Sequence, residues 1–104
     1  MDIRWSGEDR TLEIALVGEL DHHAAQSAMQ TLGRLLDERL PLKLNLDLSS
    51  LSFMDSSGIA VVLGLYKRIF ALSGTMTVQH VPTQAMRVFT AAGIDRIVDI
   101  SSAA

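Results

Sequence analysis

The sequence predicts an α/β domain in which a mixed, mostly parallel sheet is flanked by helices. Three observations support this fold class: apolar–polar alternation marks strands, apolar residues spaced three and four apart mark helices, and the two kinds of segment alternate along the chain. Strands joined through helices require crossovers, which make neighbouring strands parallel. With 104 residues, 48% of them hydrophobic, the chain is expected to form a single domain over 1–104.

The first two predicted strands form a hairpin. Residues 1–5 are a weak strand, and Gly7-Glu8-Asp9 is a turn signal. Residues 11–17 alternate between apolar and polar side chains, which is typical of a strand with one buried face. This hairpin would add an antiparallel edge to the otherwise parallel sheet.

The first predicted helix covers residues 22–40. Asp21 stands directly before it, where an N-cap belongs, and Pro41 ends it because proline cannot continue a helix. Its apolar stripe consists of Ala25, Ala28, Met29, Leu32, Leu35 and Leu36.

The second predicted helix follows a strand over residues 43–48 and carries more apolar residues than one buried face requires. It runs from Ser56 to about residue 72. The excess favours a partly exposed face that binds a partner, with crowding in the core as the alternative. The expected core-facing residues are Ile59, Val62, Leu63, Tyr66, Ile69 and Phe70. The remaining apolar residues are Ala60, Val61, Leu65 and Leu72.

The last part of the chain predicts a strand, a helix and a final strand. Residues 75–80 are rich in β-formers. A third helix begins after Pro82 and closes at Gly93, and residues 97–100 form the last strand.

The composition excludes several classes of function. The net charge is −3 and the nine Lys and Arg residues are scattered, so nucleic acid is not an expected partner. The absence of cysteine excludes disulfides, thiolate catalysis and cysteine-ligated metals. The longest uncharged apolar stretch, residues 56–66, is far shorter than the roughly 20 residues of a membrane span, and the polar N-terminus does not resemble a signal peptide. We therefore expect a cytoplasmic protein without membrane insertion.

The segment Asp55-Ser56-Ser57-Gly58 is the main candidate site. It places two hydroxyl groups at the start of the second helix, where the helix dipole is positive and side chains are accessible. Helix capping alone needs only one such residue, and capping is compatible with a regulatory role. Ser56 lies nearer the open loop, but physical arguments alone barely separate it from Ser57.

Two catalytic or metal-binding alternatives fit the sequence poorly. A serine hydrolase would need Gly-x-Ser-x-Gly around Ser56, but the first glycine is missing and His80, in a predicted strand, has no obvious acid partner. Adjacent histidines such as His22 and His23 point about 100° apart on a helix and cannot share a metal well. We expect no enzymatic activity, no metal and no cofactor.

Two sequence blocks resemble the sulfate-transporter-and-anti-sigma-antagonist (STAS) domain family, and within it the anti-sigma factor antagonists. They are Gly18-Glu19-Leu20-Asp21-His22-His23 and Leu51-Ser52-Phe53-Met54-Asp55-Ser56-Ser57-Gly58. The resemblance covers nearly the whole chain. It implies a four- to five-stranded sheet, and it implies that the C-terminal helix of the family is absent or truncated here.

The resemblance also implies a function in partner switching, as in the control of sporulation. The unphosphorylated protein would bind a nucleotide-bound anti-sigma factor that is also a serine kinase, and would thereby release a sigma factor. Phosphorylation of Ser56 would switch it off, and a serine phosphatase would reset it. The alternative within the family is an accessory subunit of another signalling or transport complex.

The predicted partner surface combines two loops with the outward face of the second helix. Its residues are Asp21, Met54, Asp55, Ser57, Gly58, Ile59, Val61 and Leu65.

Overall fold

Alternating apolar residues on the strands bury one face of the sheet beneath three helices. The computed structural model describes residues 1–103. The core joins the buried strand side chains to apolar residues of all three helices. In chain order the elements are β1 (Asp2–Glu8), β2 (Thr11–Leu20), α1 (His22–Arg39), β3 (Lys43–Asp47), β4 (Leu51–Met54), α2 (Ser57–Ala71), β5 (Thr75–Val81), α3 (Thr83–Ala92), a short 3₁₀ turn (Ile94–Arg96) and β6 (Asp99–Ser102).

The sheet is mixed and mostly parallel, which confirms the predicted fold class. Its strand order is β1-β2-β3-β5-β6, and β4 pairs with the C-terminal end of β2 outside this path. Among residues 1–103, only β1 and β2 pair in antiparallel fashion. The described part of the chain therefore contributes six strands, more than the four to five that the resemblance implied.

The hairpin turn lies two residues later than predicted. Asp9 and Arg10 are the two central residues of this turn. Both have a positive φ, 50° and 62°, which is typical of the two-residue hairpin turns that match the twist of the strands. Glu8 pairs with Thr11 across the turn. Gly7 and Glu8 therefore belong to β1, because the inter-strand pairing continues up to the turn.

The fourth strand was not predicted. β4 is short and pairs with residues 18–20 of β2. The register shifts between Gly18, where φ is 109°, and Glu19, because Ser52 of β4 is an extra residue there. The Gly18 amide donates to the carbonyl of Ser50 at 3.1 Å, which joins the two segments. Sequence periodicity missed β4 because two of its four residues are exposed in succession, so its apolar–polar pattern is broken.

The final strand also begins later than predicted. The 3₁₀ turn that follows α3 extends the helical path, and Ile97 at its end is 54% exposed. Val98 provides the buried apolar contact instead. The apolar residue at position 97 therefore belongs to a connection, and β6 starts at Asp99.

The second face of the sheet is polar and open. Asn45, the one buried polar residue of the described chain, donates from Nδ2 to Oε1 of Glu13 at 2.7 Å. It accepts from the Thr77 hydroxyl at 2.8 Å. These hydrogen bonds connect β2, β3 and β5. Asn45 can therefore be buried at the centre of this face, and no buried polar side-chain atom of the described residues lacks a hydrogen-bond partner.

Asp47 lies on this open face and makes stability depend on pH. Partial burial alone would raise the pKa of its carboxyl, but hydrogen bonds from Ser49 and the nearby His80 imidazole lower the pKa overall. The Ser49 amide donates to Oδ1 at 2.8 Å, and Nδ1 of His80 lies 3.6 Å from the same oxygen. The ionised form of Asp47 is therefore favoured in the folded state.

We expect Asp47→Asn to remove part of the acid sensitivity of this protein. Since the folded-state pKa is lowered, the carboxylate stabilises the fold above its ordinary pKa of 3.8 and loses that contribution as pH falls through the folded value. Urea unfolding from pH 7 to pH 3 measures the effect. The difference in the free energy of unfolding between wild type and Asp47→Asn should become smaller at acid pH. A difference that stays constant or grows would contradict the lowered pKa of Asp47.

Candidate functional site

Asp21 caps the first helix, as the sequence predicts. Its backbone is extended, and its carboxylate Oδ1 accepts a hydrogen bond from the amide of Ala24 at 2.8 Å. An N-cap carboxylate satisfies one of the free amides at a helix start and complements the helix dipole. Asp21 is half-buried and therefore holds a fixed negative charge at the end of β2.

Asp55 joins the Asp21 loop to the turn between β4 and α2. Its Oδ1 accepts from the amide of Ser57 at 2.8 Å, and its Oδ2 accepts from the amide of His22 at 3.1 Å. The Asp55 amide donates to the carbonyl of Leu20 at 3.2 Å. The sequence suggested that the two loops were neighbours on one rim of the sheet, and these contacts confirm it.

The two adjacent serines differ in their surroundings. Ser56 precedes α2, is exposed, and its hydroxyl makes no hydrogen bond to any described residue. Ser57 is half-buried at the first position of the helix, with its hydroxyl 3.4 Å from Nδ1 of His22. The hydroxyl of Ser56 is therefore the accessible one, a distinction that the sequence alone did not make.

Met54 and Gly58 support the turn from beneath. The Met54 side chain is fully buried, and a Cβ atom added at Gly58 would overlap its sulfur and Cγ. Glycine at 58 thus allows the first turn of α2 to approach Met54. Met54 and Gly58 are both expected on the partner surface, and the structure corrects this, because the Met54 side chain fills the core under the turn and Gly58 is buried against it.

The prediction that Val61 and Leu65 lie on an outward face of α2 is also wrong. Val61 and Leu65 are both 0% exposed, whereas Phe70, assigned to the core, is 71% exposed. The reason is that the buried stripe of α2 is rotated around the helix axis relative to the predicted stripe, and Val61 and Leu65 lie within it. The buried residues, which follow helical spacing and pack towards α1 and the sheet, are Gly58, Val61, Val62, Leu65 and Ile69. Ile59 remains half-buried beside the turn and keeps some accessible surface.

A groove beside Ser56 adds α3 to the site. Its volume is about 520 Å³, and it runs between the start of α2 and one side of α3. Sequence reasoning did not include α3, because only the packing of α3 beside β4 and α2 shows that the two helices face the same groove. The lining includes Ser56, Ile59, Gln84, Arg87, Val88 and Ala91.

Comparison with known proteins identifies the family. The family model described as the STAS domain matches residues 3–103. The chain belongs to the STAS domain family. An anti-sigma F factor antagonist from Paenibacillus polymyxa is 36% identical over 89 residues, which cover 86% of this chain and 76% of the relative.

Solved structures show the same STAS fold. The anti-sigma factor antagonist SpoIIAA in its unphosphorylated form is similar with a TM-score of 0.82 and 26% identity, covering 97% of this chain and 89% of that protein. The phosphorylated form of the Bacillus cell fate determinant SpoIIAA is similar with a TM-score of 0.73 and 26% identity, covering 97% and 92%.

The described side chains of this STAS domain do not form a hydrolase triad around Ser56. His22 contacts Ser57, and within residues 1–103 no carboxylate bonds to its imidazole, since Asp55 accepts from the backbone of His22. His80 does have an acid partner, Asp47, contrary to expectation, but that pair lies on the open sheet face.

No group of three metal-ligating side chains occurs among the described residues. In the same range of the STAS domain, the structure contains no helix with the length and apolar character of a membrane span.

Proposed function

We propose that this STAS-domain protein is an anti-sigma factor antagonist controlled by phosphorylation of Ser56. In its unphosphorylated form it binds an anti-sigma factor that is also a serine kinase, and a sigma factor is thereby released. The observation that carries the proposal is the Ser56 hydroxyl, exposed and without a hydrogen bond to the described chain, at the start of α2. The relatives named as anti-sigma factor antagonists support the same role.

The binding surface consists of the accessible parts of the two linked loops. Asp55 joins the two loops, and Asp21 caps the helix that follows the first of them. Ser56 and Ser57 lie on the turn at the start of α2, and Ser56 lines the groove. Ile59 contributes half-buried apolar surface at the edge of that groove. Val61 and Leu65 are excluded because they lie in the core, so the proposed surface is smaller than the one expected from the sequence.

Phosphorylation acts on this surface through charge. A phosphoserine carries about −1.5 to −2 charges, and the chain already has a net charge of −3. The start of α2 tolerates the phosphate because a helix N-terminus favours anions. Within a desolvated complex, however, the phosphate would lie beside the carboxylate of Asp55, where like charges repel strongly and a pocket shaped for a hydroxyl cannot hold it. The complex is therefore destabilised while the fold is retained.

The proposed cycle needs three partners and no catalysis by this chain. The nucleotide-bound anti-sigma factor serves as both binding partner and serine kinase, a separate serine phosphatase restores the hydroxyl, and the released sigma factor directs transcription. All of these steps take place in the cytoplasm, where transcription occurs. The protein itself is a phosphorylatable binding module.

Phosphate incorporation tests the assignment to Ser56. The wild type, Ser56→Ala and Ser57→Ala are incubated with ATP and the anti-sigma factor kinase of the same genome, and peptides are measured by mass spectrometry. We expect loss of the label in Ser56→Ala and near-stoichiometric label in Ser57→Ala, since Ser57 is half-buried against His22. Full labelling of Ser56→Ala would overturn the assignment, and Ser57→Ala serves as the matched control for a missing hydroxyl.

A further inference from the structure

Gln84 bonds to both backbone groups of Met54, the last residue of β4. Its Oε1 accepts from the Met54 amide at 2.9 Å, and its Nε2 donates to the Met54 carbonyl at 2.7 Å. Within residues 1–103, β4 pairs with a strand on one side only, which is β2. The amide group of Gln84 therefore takes the place of a neighbouring strand at the point where β4 ends.

This contact links α3 to the phosphoacceptor turn. Met54 stands two residues before Ser56, and its buried side chain lies directly beneath Gly58 in the first turn of α2. Gln84 belongs to the first turn of α3 and lines the groove that also contains Ser56. A displacement of Met54 would consequently move both sides of the turn that presents the Ser56 hydroxyl.

We propose that Gln84 is a positioning residue for phosphorylation of Ser56. This inference rests on the proposed function and extends it to a residue outside the two loops. Transfer of a phosphoryl group requires the attacking oxygen to lie in line with the bond that breaks, so catalysis depends mainly on the orientation of that hydroxyl. Gln84 supplies part of that orientation by holding the backbone of Met54, without touching the transferred group.

The matched variant is Gln84→Met, which keeps the length and helix propensity of the side chain but removes both hydrogen bonds. Gln30→Met, on an exposed position of α1, is the control for the same substitution. Two measurements are made on each protein: amide hydrogen exchange over residues 54–58 without kinase, and steady-state phosphorylation by the anti-sigma factor kinase of the same genome at saturating ATP. Thermal melting verifies that each variant is folded at the assay temperature.

For Gln84→Met we expect faster amide exchange at residues 54–58 and a kcat lowered by about tenfold, since small displacements of reacting groups are costly. Gln30→Met should match wild type in both measurements. A purely structural role would reduce the folded fraction, which raises the apparent KM and leaves kcat unchanged. That result, or an unchanged kcat in spite of faster exchange, would overturn the proposal.

Failure of the proposed function can be distinguished from failure of the positioning role of Gln84. If the kinase does not phosphorylate wild-type protein at Ser56, the proposed function is wrong, and the positioning role falls with it. The exchange measurement needs no kinase, so it separately decides whether Gln84 orders the turn. Unchanged exchange in Gln84→Met together with normal phosphorylation of wild type would contradict the positioning role alone.

Discussion

Leu65→Lys should unfold this protein or leave it only marginally stable. Leu65 is 0% exposed and lies in the buried sector of α2, so the variant loses the packing of a full leucine side chain. Truncation of a buried leucine alone costs about 2–5 kcal/mol, and a buried ammonium group without a partner adds to that cost. Total stabilities are commonly about 5–15 kcal/mol, so a loss of this size is severe. Urea and thermal unfolding followed by circular dichroism measure it.

Phe70→Lys is the matched control on the same helix. Phe70 is 71% exposed, and substitutions at such positions usually change stability by about 0.5 kcal/mol or less. The pair therefore tests which face of α2 is buried. A stable, well-folded Leu65→Lys together with an unfolded Phe70→Lys would mean that the helix is rotated relative to this structure, and it would return Leu65 to the partner surface.

Ser56→Asp should weaken binding to the anti-sigma factor by more than tenfold and leave the fold intact. A carboxylate at this position imitates part of the charge of the phosphate and would lie close to Asp55 within the complex. A tenfold change corresponds to about 1.4 kcal/mol of binding free energy. In the free protein, an acidic group at the start of α2 is expected to stabilise the helix by about 0.3–1 kcal/mol. Calorimetric titration with the nucleotide-bound anti-sigma factor and a melting curve of the same sample give both quantities.

Ser56→Asn separates charge from size. Asparagine has nearly the shape of aspartate but is neutral, so it should bind much more tightly than Ser56→Asp if repulsion is the cause. Equal loss of affinity in both variants would show that the pocket rejects any larger side chain. A large fall in melting temperature for Ser56→Asp would instead attribute the loss of binding to the fold.

Much of the candidate site follows from local sequence. Asp21 before an apolar helical stripe predicts the N-cap that its bond to Ala24 confirms. The strand–loop–helix order predicts that the loops of Asp21 and Asp55 meet, because both leave the same edge of a parallel sheet. These predictions succeed because a helix cap depends only on neighbouring residues, and the meeting of the two loops depends only on the parallel direction of the strands that precede them.

Contacts that depend on several elements together could not be predicted. Gln84 lies thirty residues from Met54, and nothing in its neighbours distinguishes it from any other polar residue in the first turn of a helix. The strand β4 could not be predicted for the same reason, because its pairing partner is the distant end of β2 and the register shifts between Gly18 and Glu19. Long-range hydrogen bonds of this kind leave no periodic signal in the sequence.

The sequence by itself therefore determined the fold class, the order of the elements other than β4, the capping role of Asp21 and the family. Tertiary structure decided which serine is accessible and which face of α2 is buried. Ser56 and Ser57 have the same chemistry, and they are distinguished by the greater burial of Ser57 and its contact with His22. Val61 and Leu65 are buried because they lie in the stripe of α2 that packs towards α1 and the sheet, and a helix with apolar residues on several faces does not show from its sequence which face is buried.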